Sequence, residues 1–349
     1  DQAGKELFVN VCGDDDSRGG LSVLGAGQMV TESYVGERAA HSLRGEGESA
    51  RLTVGPGGGP MVVGLQDGRP IGDRLVGGEI VPQSMPDEFS APPVSCGTPQ
   101  VAGDTLWCAF DGEGFAKLNQ NGRWSATRAA GLPVIEGASL REIIVVDDRS
   151  WWMATDGGVI RIMNGSLQAL NFAFTDGGLP SDDVRDLLLH GNTLYAATAA
   201  GVGILDLETN EWSQLSRSTL PNISARALAI DADGALWIGT DGGVFKRTLP
   251  EGDSAEYTVQ SGLLDNRVND MVIGSDGTLY VATNGGVSAL SPDGTFVRST
   301  THNGLPGWSA YELFAEDDAV WVRADWGVAR IRLPLVENPP VHPSDSPSS

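Results

Sequence analysis

Three arginines recur at one position of a repeating sequence pattern and indicate anion binding. The next two copies of the pattern carry an amide and a phenol at this position, so the set is Arg141, Arg185, Arg226, Asn269 and Tyr311. A guanidinium presents a planar fork of N–H donors that fits a carboxylate or a phosphate. The arginines therefore predict an anion site. The alternative is that each pairs with an acidic neighbour, such as Asp156 or Asp241, and joins adjacent copies.

A second candidate site belongs to the last copy of the pattern. Trp326 stands where other copies have glycine or alanine, Arg323 stands where they have a small residue, and Asp325 lies in the same turn. Trp308 and Tyr311 come shortly before. Rigid aromatic rings offer a large contact area at low entropic cost, so this group predicts a sugar or peptide site. The alternative is that these side chains pack against an irregular first copy.

Signals for catalysis or metal binding are weak. The sequence has neither a nucleophile-elbow serine nor a Cys-x-x-Cys pair. No metal-ligand spacing relates the four histidines, which are His41, His190, His302 and His342. We therefore predict no catalytic residue, no metal and no cofactor. Of the three cysteines, Cys96 and Cys108 flank the turn between two predicted strands and could pair across the hairpin, which leaves Cys12.

The elements that position the candidate residues come from a repeat that fills most of the chain. Its clearest copy is LWIGTDGGVFKR from Leu236, and related stretches start at 61, 106, 151, 194, 279 and 320, a period of 41 to 45 residues. That period matches a four-stranded propeller blade. We therefore predict an all-β chain that forms a single seven-bladed β-propeller of four-stranded antiparallel blades.

The repeat also predicts where the candidate sites and the core lie. The loops that join blades and the loops between second and third strands share one face of such a ring, so both candidate sites lie on that face. Hydrophobic residues in short runs fit strands covered on both sides by neighbouring blades. Tryptophans recur in the second strands and predict core positions between blades: Trp107, Trp152, Trp237 and Trp321.

The two ends of the chain are predicted to meet in the ring. Residues 5–12 read as a strand without a neighbour, and the last copy predicts three strands within 310–333 but no fourth. A strand from 5–12 would complete that blade and hide an open sheet edge. The predicted divisions are a closing strand and acidic loop (1–20), the propeller (21–333) and a disordered tail rich in proline and serine (334–349).

Composition restricts the partners. The chain has 46 acidic and 23 basic residues among 349, a net charge of −23. Because binding to a nucleic acid or an anionic membrane needs clustered lysine and arginine, both are poor partners. No apolar run reaches the ~20 residues of a membrane span. The chain opens with Asp1 rather than Met, which would suit a processed N-terminus and equally a trimmed one.

Several copies resemble a known repeat family. The stretches GLPSDDVRDLLL, LYAATAAGVGIL and GALWIGTDGGV resemble the two-component-regulator propeller repeat, over roughly residues 95–333 well and 50–95 poorly. DADGALWIGT is also similar to the repeats of streptogramin lyases. The first resemblance implies a bacterial protein that is periplasmic, secreted or at the cell surface. Fold alone does not decide function, since propellers serve as sensors, lyases and scaffolds.

These observations predict a non-enzymatic, extracytoplasmic binding or assembly module. Its partner would be a protein or a glycan on one propeller face, and a larger surface assembly would be one such partner. One alternative is a lyase-like propeller enzyme with a metal in the central channel, although no matching histidine and acid are found in the sequence. The other is a ligand-sensing propeller that works with a separate kinase.

Overall fold

The computed structural model describes most of the repeat region. The described residues are 20–21, 30–35, 51–55, 60–66, 69–76, 79–84, 99–102, 105–110, 114–119, 121, 123–128, 139–147, 149–164, 166–215, 220, 224–248, 252–325 and 327–333. Within them, all regular structure is β-strand apart from one short 3-10 turn at Thr301–Asn303. No described helix has the length and apolar character needed to cross a bilayer.

Two strands at the N-terminal end join three from the C-terminal end in a five-stranded antiparallel sheet, the closing sheet. Its order is β1-β2-β29-β28-β27. The strands are β1 (Gly20–Leu21), β2 (Val30–Val35), β27 (Ala310–Glu316), β28 (Ala319–Ala324) and β29 (Gly327–Arg332).

The remaining strands form six four-stranded antiparallel blades, each with its strands in sequence order across the sheet. Blade 1 has β3 (Arg51–Val54), β4 (Pro60–Gln66), β5 (Arg69–Val76) and β6 (Glu79–Ser84). Blade 2 has β7 (Gln100–Ala102), β8 (Thr105–Phe110), β9 (Gly114–Asn119) and β10 (Trp124–Arg128). Blade 3 has β11 (Leu140–Asp147), β12 (Ser150–Thr155), β13 (Gly158–Met163) and β14 (Ser166–Leu170).

The last three blades follow the same pattern. Blade 4 has β15 (Val184–His190), β16 (Thr193–Thr198), β17 (Gly201–Asp206) and β18 (Trp212–Leu215). Blade 5 has β19 (Ala225–Ile230), β20 (Ala235–Thr240), β21 (Gly243–Thr248) and β22 (Ser254–Tyr257). Blade 6 has β23 (Val268–Ile273), β24 (Leu279–Thr283), β25 (Gly286–Leu290) and β26 (Phe296–Ser299).

The prediction of seven four-stranded blades is wrong. Six blades are four-stranded, and the sheet that joins the chain ends has five strands because the N-terminal end supplies two strands rather than one. The strand beside β29 is Val30–Val35, with Val30 opposite Ile331 and Tyr34 opposite Val328, so the predicted pairing of 5–12 with this strand is also wrong. Residues 5–12 and the tail, 334–349, lie outside the described residues.

The innermost strands form a ring. β11, β15, β19, β23 and β27 each contact the next in turn, and β27 contacts β3, which in turn contacts β7. The strands within each blade alternate in direction. The blade-linking loops and the turns between second and third strands therefore lie on the same face, which we call the mouth face.

In four blades the turn between the second and third strands has the same arrangement of threonine and glycine. The buried hydroxyl of Thr240 donates to the carbonyl of Gly243 at 2.9 Å and accepts the N–H of Gly242 at 2.9 Å. Gly243 has a φ of +130°, a backbone conformation that favours glycine. Three other blades have the same pairing, in Thr155/Gly158, Thr198/Gly201 and Thr283/Gly286.

The core lies between adjacent sheets. Leu179, Val184 and Leu187 from blade 4 and its linking loop pack on Ile144 and Trp152 from blade 3, for example. The four repeated tryptophans are buried, as the sequence predicts. In each case a cationic side chain from the third strand lies over the ring, and the pairs are Lys117–Trp107, Arg161–Trp152, Lys246–Trp237 and Arg330–Trp321.

Candidate functional site

A β-bulge near the start of the innermost strands presents the predicted arginines. The pairing of β11 with β12 shifts between Leu140 and Glu142, so Arg141 has no partner across the strand. The same shift in register leaves Arg185 in β15 and Arg226 in β19 without a cross-strand partner. Asn269 and Tyr311 occupy the bulge in β23 and β27. Bulges re-aim side chains, and here the five bulged residues line the central channel.

The channel opens on the mouth face as a cavity of about 950 Å³. Of the eight predicted binding residues, six line it: Arg141, Arg185, Arg226, Tyr311, Arg323 and Asp325. Asn269, which the sequence places at the same repeat position as the arginines, also lines it. Sequence reasoning missed the other lining residues, because each belongs to a strand, turn or linking loop that reads as ordinary repeat sequence: Arg51, Leu52, Glu142, Asp183, Asp186, Arg267, Asp270, Asn284, Glu312 and Leu313.

Four arginines on consecutive blades form one side of the mouth, and we call them the arginine arc: Arg141, Arg185, Arg226 and Arg267. They share two carboxylates. Asp183 binds Arg141 and also Arg185, the latter at 3.1 Å between Nη2 and Oδ2. Asp241 lies 3.2 Å from Nε of Arg226 and 3.8 Å from Nε of Arg267.

The ion pairs of the arc can be compared with the alternative interpretation, in which each arginine pairs with an acidic neighbour such as Asp156 or Asp241. Asp241 pairs with Arg226, as that alternative expects. Asp156 instead accepts the backbone N–H of Ser139 at 3.1 Å. Burial opposes ionisation of Asp183, but hydrogen bonds and charges from Arg141 and Arg185 outweigh it and hold its pKa below the usual value. The arc therefore joins neighbouring blades and still has two guanidiniums for each shared carboxylate.

Carboxylates one residue beyond the bulge link several of the innermost strands to the next. Glu142 accepts the backbone N–H of Leu187 at 2.5 Å, and Asp186 accepts that of Leu228 at 2.6 Å. Asp270 accepts the N–H of Leu313 at 2.7 Å. Innermost strands have no hydrogen-bonded strand on the channel side, so these carboxylates satisfy backbone donors that would otherwise face the cavity.

Glu312 makes the corresponding link between the closing sheet and blade 1. It accepts the N–H of Leu52 at 2.6 Å, and it binds Arg51 at 3.1 Å and Arg323 at 2.9 Å. Arg323 lies directly across the strand pair from Glu312, where other blades have alanine or glycine. Arg323 is therefore a buried ion-pair partner, with only 7% of the residue exposed.

The environments of these four carboxyl groups set different protonation behaviour. Burial raises the pKa of Glu142 well above its usual value, and the nearby charge of Asp186 adds to this. Burial also raises the pKa of Asp186. Burial, with the charges of Asp186 and Glu312, raises the pKa of Asp270 to about 8. Burial acts on Glu312 too, but Arg323 and Arg51 hold its pKa below normal.

Aromatic side chains lie on the other side of the mouth. Tyr311 donates its hydroxyl to Asp325 Oδ1 at 2.5 Å, and the guanidinium of Arg323 lies 5.0 Å from the centre of its ring. Asp325 Oδ2 accepts the backbone N–H groups of Trp308 and Ser309 at 2.7 and 2.9 Å. Trp308 is 60% exposed and stands outside the cavity lining. Trp326 lies outside the described residues.

Other predicted chemistry has little support or remains untested. Cys108 is buried in β8, while Cys12 and Cys96 lie outside the described residues, so the disulfide stays a prediction. The described residues contain no group of three or more His, Cys, Asp or Glu side chains arranged to hold a metal ion. The described lining of the cavity includes no histidine.

This fold and its repeats define the class of protein, a β-propeller. The model of the two-component regulator propeller family matches two stretches, residues 219–242 and 262–285, so the chain carries repeats of that family. They cover the link into blade 5 with its first two strands, and the same part of blade 6. The comparison with curated proteins found no match.

Solved structures with the same fold come from several settings. The extracellular domain of the putative hybrid two-component system BT3049 from B. thetaiotaomicron has a TM-score of 0.64 at 16% identity, over 81% of this chain and 40% of that one. PorZ, a surface component of the type-IX secretion system of Porphyromonas gingivalis, has a TM-score of 0.58 at 14% identity, over 81% of this chain and 46% of that one. Virginiamycin B lyase from Staphylococcus aureus has a TM-score of 0.61 at 12% identity, over 81% of this chain and 94% of that one.

These identities show a shared fold and nothing finer. The chain spans less than half the length of the two-component-system domain and of the secretion component. The structural neighbours named first are extracellular or surface proteins of bacteria. A lyase is among the others, so the fold itself is compatible with both binding and catalysis.

Proposed function

We propose that this chain is a non-enzymatic, extracytoplasmic binding or assembly module. A protein or glycan partner docks on the mouth face, around the arginine-lined cavity and the aromatic side chains beside it. The setting follows that of the structural neighbours described as the extracellular domain of a putative hybrid two-component system and a bacterial surface component.

The distribution of exposed apolar side chains carries the proposal. Seven large hydrophobic side chains are exposed among the described residues. Five belong to the mouth face and its linking loops: Phe172, Phe174, Val259, Trp308 and Tyr311. The other two, Val146 and Met163, lie beside hairpins of the opposite face. Apolar groups concentrated on one face of a soluble body indicate an interaction surface.

The nature of the cavity supports binding at the same place. It combines fixed guanidiniums with an aromatic rim, and rigid aromatic and arginine side chains supply most of the binding energy in known interfaces. The hydrogen bonds that Asp325 accepts from the Tyr311 hydroxyl and from the backbone N–H groups of Trp308 and Ser309 hold the Tyr311 side chain and the main chain that carries Trp308 in place before any partner arrives. A preformed rim lowers the entropic cost of docking.

The proposal is tested by capture on the immobilised protein under native conditions, with bound proteins and glycans identified by mass spectrometry. We expect the Trp308→Ala/Trp326→Ala variant to lose the captured partner. Met163→Ala is the matched control, since it removes an exposed apolar side chain from the opposite face. Capture that is unchanged in the double variant, or lost in the control alone, would show that the partner docks elsewhere.

A further inference from the structure

We propose that the channel mouth recognises an acidic segment of a partner polypeptide, whose carboxylates bind the arginine arc. This inference rests on the proposed docking face and identifies the chemistry that the face selects. Its evidence comes from the charge of the arc, the availability of Arg267 and the apolar surroundings of the cavity.

The arginine arc carries a local positive excess in an acidic protein. Its four guanidiniums share the carboxylates of Asp183 and Asp241. Beneath the arc, burial raises the pKa of Glu142 and of Asp186 and so opposes their ionisation. The chain as a whole has a net charge of −23. With two guanidiniums for each shared carboxylate, the arc is locally positive, so it attracts anionic groups that the acidic surface around it repels.

Arg267 is the arc member best placed to bind a ligand. Its side chain is 51% exposed, and the closest carboxylate, Asp241, lies at 3.8 Å, beyond hydrogen-bond distance. Within the described part of the chain its guanidinium donates no hydrogen bond. A guanidinium has five N–H donors in a fixed fork, and two parallel bonds to one carboxylate are its strongest arrangement. An incoming aspartate or glutamate would supply the acceptor.

The neighbouring polar side chains suit a polypeptide backbone. Asn269 donates to the side chain of Asn284 at 3.0 Å and to the carbonyl of Ala310 at 2.8 Å. Asn284 accepts the first of these bonds, so its own amide N–H groups are available to a carbonyl of the ligand. Both amides line the cavity beside Arg267. The arc and the amides thus match an acidic side chain and the main chain that carries it.

The extent of the apolar surroundings favours a protein over a glycan or a nucleic acid. Exposed apolar residues occur on three linking loops, with Phe172 and Phe174 on one, Val259 on another and Trp308 on a third. A sugar ring needs one or two stacking partners, whereas a protein interface uses apolar contacts spread around a central anchor. A long polyanion would also have to cross the acidic surface outside the mouth.

The test begins with a phage library of random twelve-residue peptides selected on the immobilised protein. We expect the enriched peptides to contain aspartate or glutamate. Each is then synthesised with a fluorescein label, together with a twin in which Asn and Gln replace Asp and Glu. Fluorescence anisotropy is expected to show that the twin binds at least about tenfold more weakly, because it lacks the charge-assisted contact between carboxylate and arginine.

Variants of the protein locate the site. Arg267→Gln is expected to weaken binding of the acidic peptide by about five- to tenfold. Arg149→Gln is the matched control, because Arg149 is exposed at a hairpin of the opposite face, and it should leave binding within about twofold of the parent. Equal thermal unfolding midpoints for parent and variants would show that the fold is intact.

The outcomes separate this inference from the proposed function. Enriched peptides without acidic residues, no enrichment at all, or unchanged binding in Arg267→Gln would each overturn it. If Trp308→Ala weakens binding while Arg267→Gln does not, the docking face stands and the acidic ligand is wrong. If neither variant changes binding, both proposals fail. An oligomer of galacturonic acid that binds more tightly than the peptides, with the same arginine dependence, would replace the polypeptide with a glycan.

Discussion

Glu312 binds Arg51, which lies 261 residues earlier in the chain, at 3.1 Å across the wall of the central channel. Arg51 lies in the innermost strand of blade 1, and Glu312 in that of the closing sheet. The ring is therefore closed twice, once by the pairing of β2 with β29 and once by this contact at the channel. The second closure uses an ion pair that is shielded from solvent, with side-chain exposures of 17% and 12%.

Glu312→Gln should destabilise the ring strongly. The substitution keeps an acceptor for the N–H of Leu52 but removes the negative charge between Arg51 and Arg323. Breaking a buried ion pair from one side leaves uncompensated charge and costs about 3 kcal/mol. Urea unfolding followed by tryptophan fluorescence measures the free energy of unfolding.

Asp318→Asn is the control for this prediction. Asp318 pairs with Arg330 at 2.7 Å, but its side chain is 71% exposed, so its loss should cost about 0.5 kcal/mol or less. Equal destabilisation by the two substitutions would mean that the channel ion pair is no more important than a surface one.

Asp270→Asn should change how stability depends on pH. Asp270 has a pKa of about 8 in the folded protein, against about 3.9 in an unfolded chain. Below pH 4 both states hold the proton. Between pH 4 and 8 only the folded state holds it, so each rise in pH stabilises the unfolded state, and above pH 8 both states are ionised. The folded protein therefore loses about 1.4 kcal/mol per pH unit across this window because of this one group.

The asparagine variant lacks that loss and can still accept the N–H of Leu313. We expect the difference in free energy of unfolding, variant minus parent, to grow from pH 5 to pH 8 and then level off. Urea titrations at pH 5, 6, 7, 8 and 9 would measure it. A difference that stays constant over this series would show that Asp270 is ionised in the folded protein at neutral pH.

The repeat made most of the fold predictable from sequence. Every stretch aligned with LWIGTDGGVFKR supplies the second and third strands of its sheet, because short apolar runs separated by Gly-rich segments encode that unit locally. The common position of Arg141, Arg185 and Arg226 could also be read from the aligned copies. Local signals suffice where a residue's role is set within its own blade.

Features that depend on the closed ring were missed. Glu142, Asp186, Asp270 and Glu312 occupy one repeat position, which was a usable signal, but a lone acid in a strand normally faces water. Only the ring brings the next strand's backbone N–H groups to these carboxylates. The closing strand was misassigned for a related reason: two N-terminal segments have strand-like sequence, and long-range pairing with β29 selects Val30–Val35.

Gly158→Ala should destabilise blade 3, while Gly157→Ala should be tolerated. Gly158 has a φ of +114°, and an added Cβ would lie 2.4 Å from the backbone oxygen of Leu170. At Gly157, the nearest atom to such a Cβ would be Oγ1 of Thr155 at 3.7 Å, an ordinary contact. We expect a loss of about 2–4 kcal/mol for the first variant and less than about 0.5 kcal/mol for the second, measured by urea unfolding. Similar losses of stability in the two variants would show that the positive φ and close packing of Gly158 do not make it more sensitive to substitution than Gly157.

Asp241→Asn should strengthen binding of an acidic peptide with little effect on stability. Asp241 is one of the two carboxylates that the arginine arc shares, and it also accepts the hydroxyl of Ser224 at 2.5 Å. Its side chain is 42% exposed, so losing its charge should cost the fold about 0.5 kcal/mol. Without that charge, Arg226 and Arg267 present a larger positive field to the ligand.

Fluorescence anisotropy with the selected peptide should show that Asp241→Asn binds it about two- to fivefold more tightly, and the gain in affinity should shrink at high salt. An affinity that falls instead would mean that Asp241 positions the two arginines for binding more than it opposes their charge.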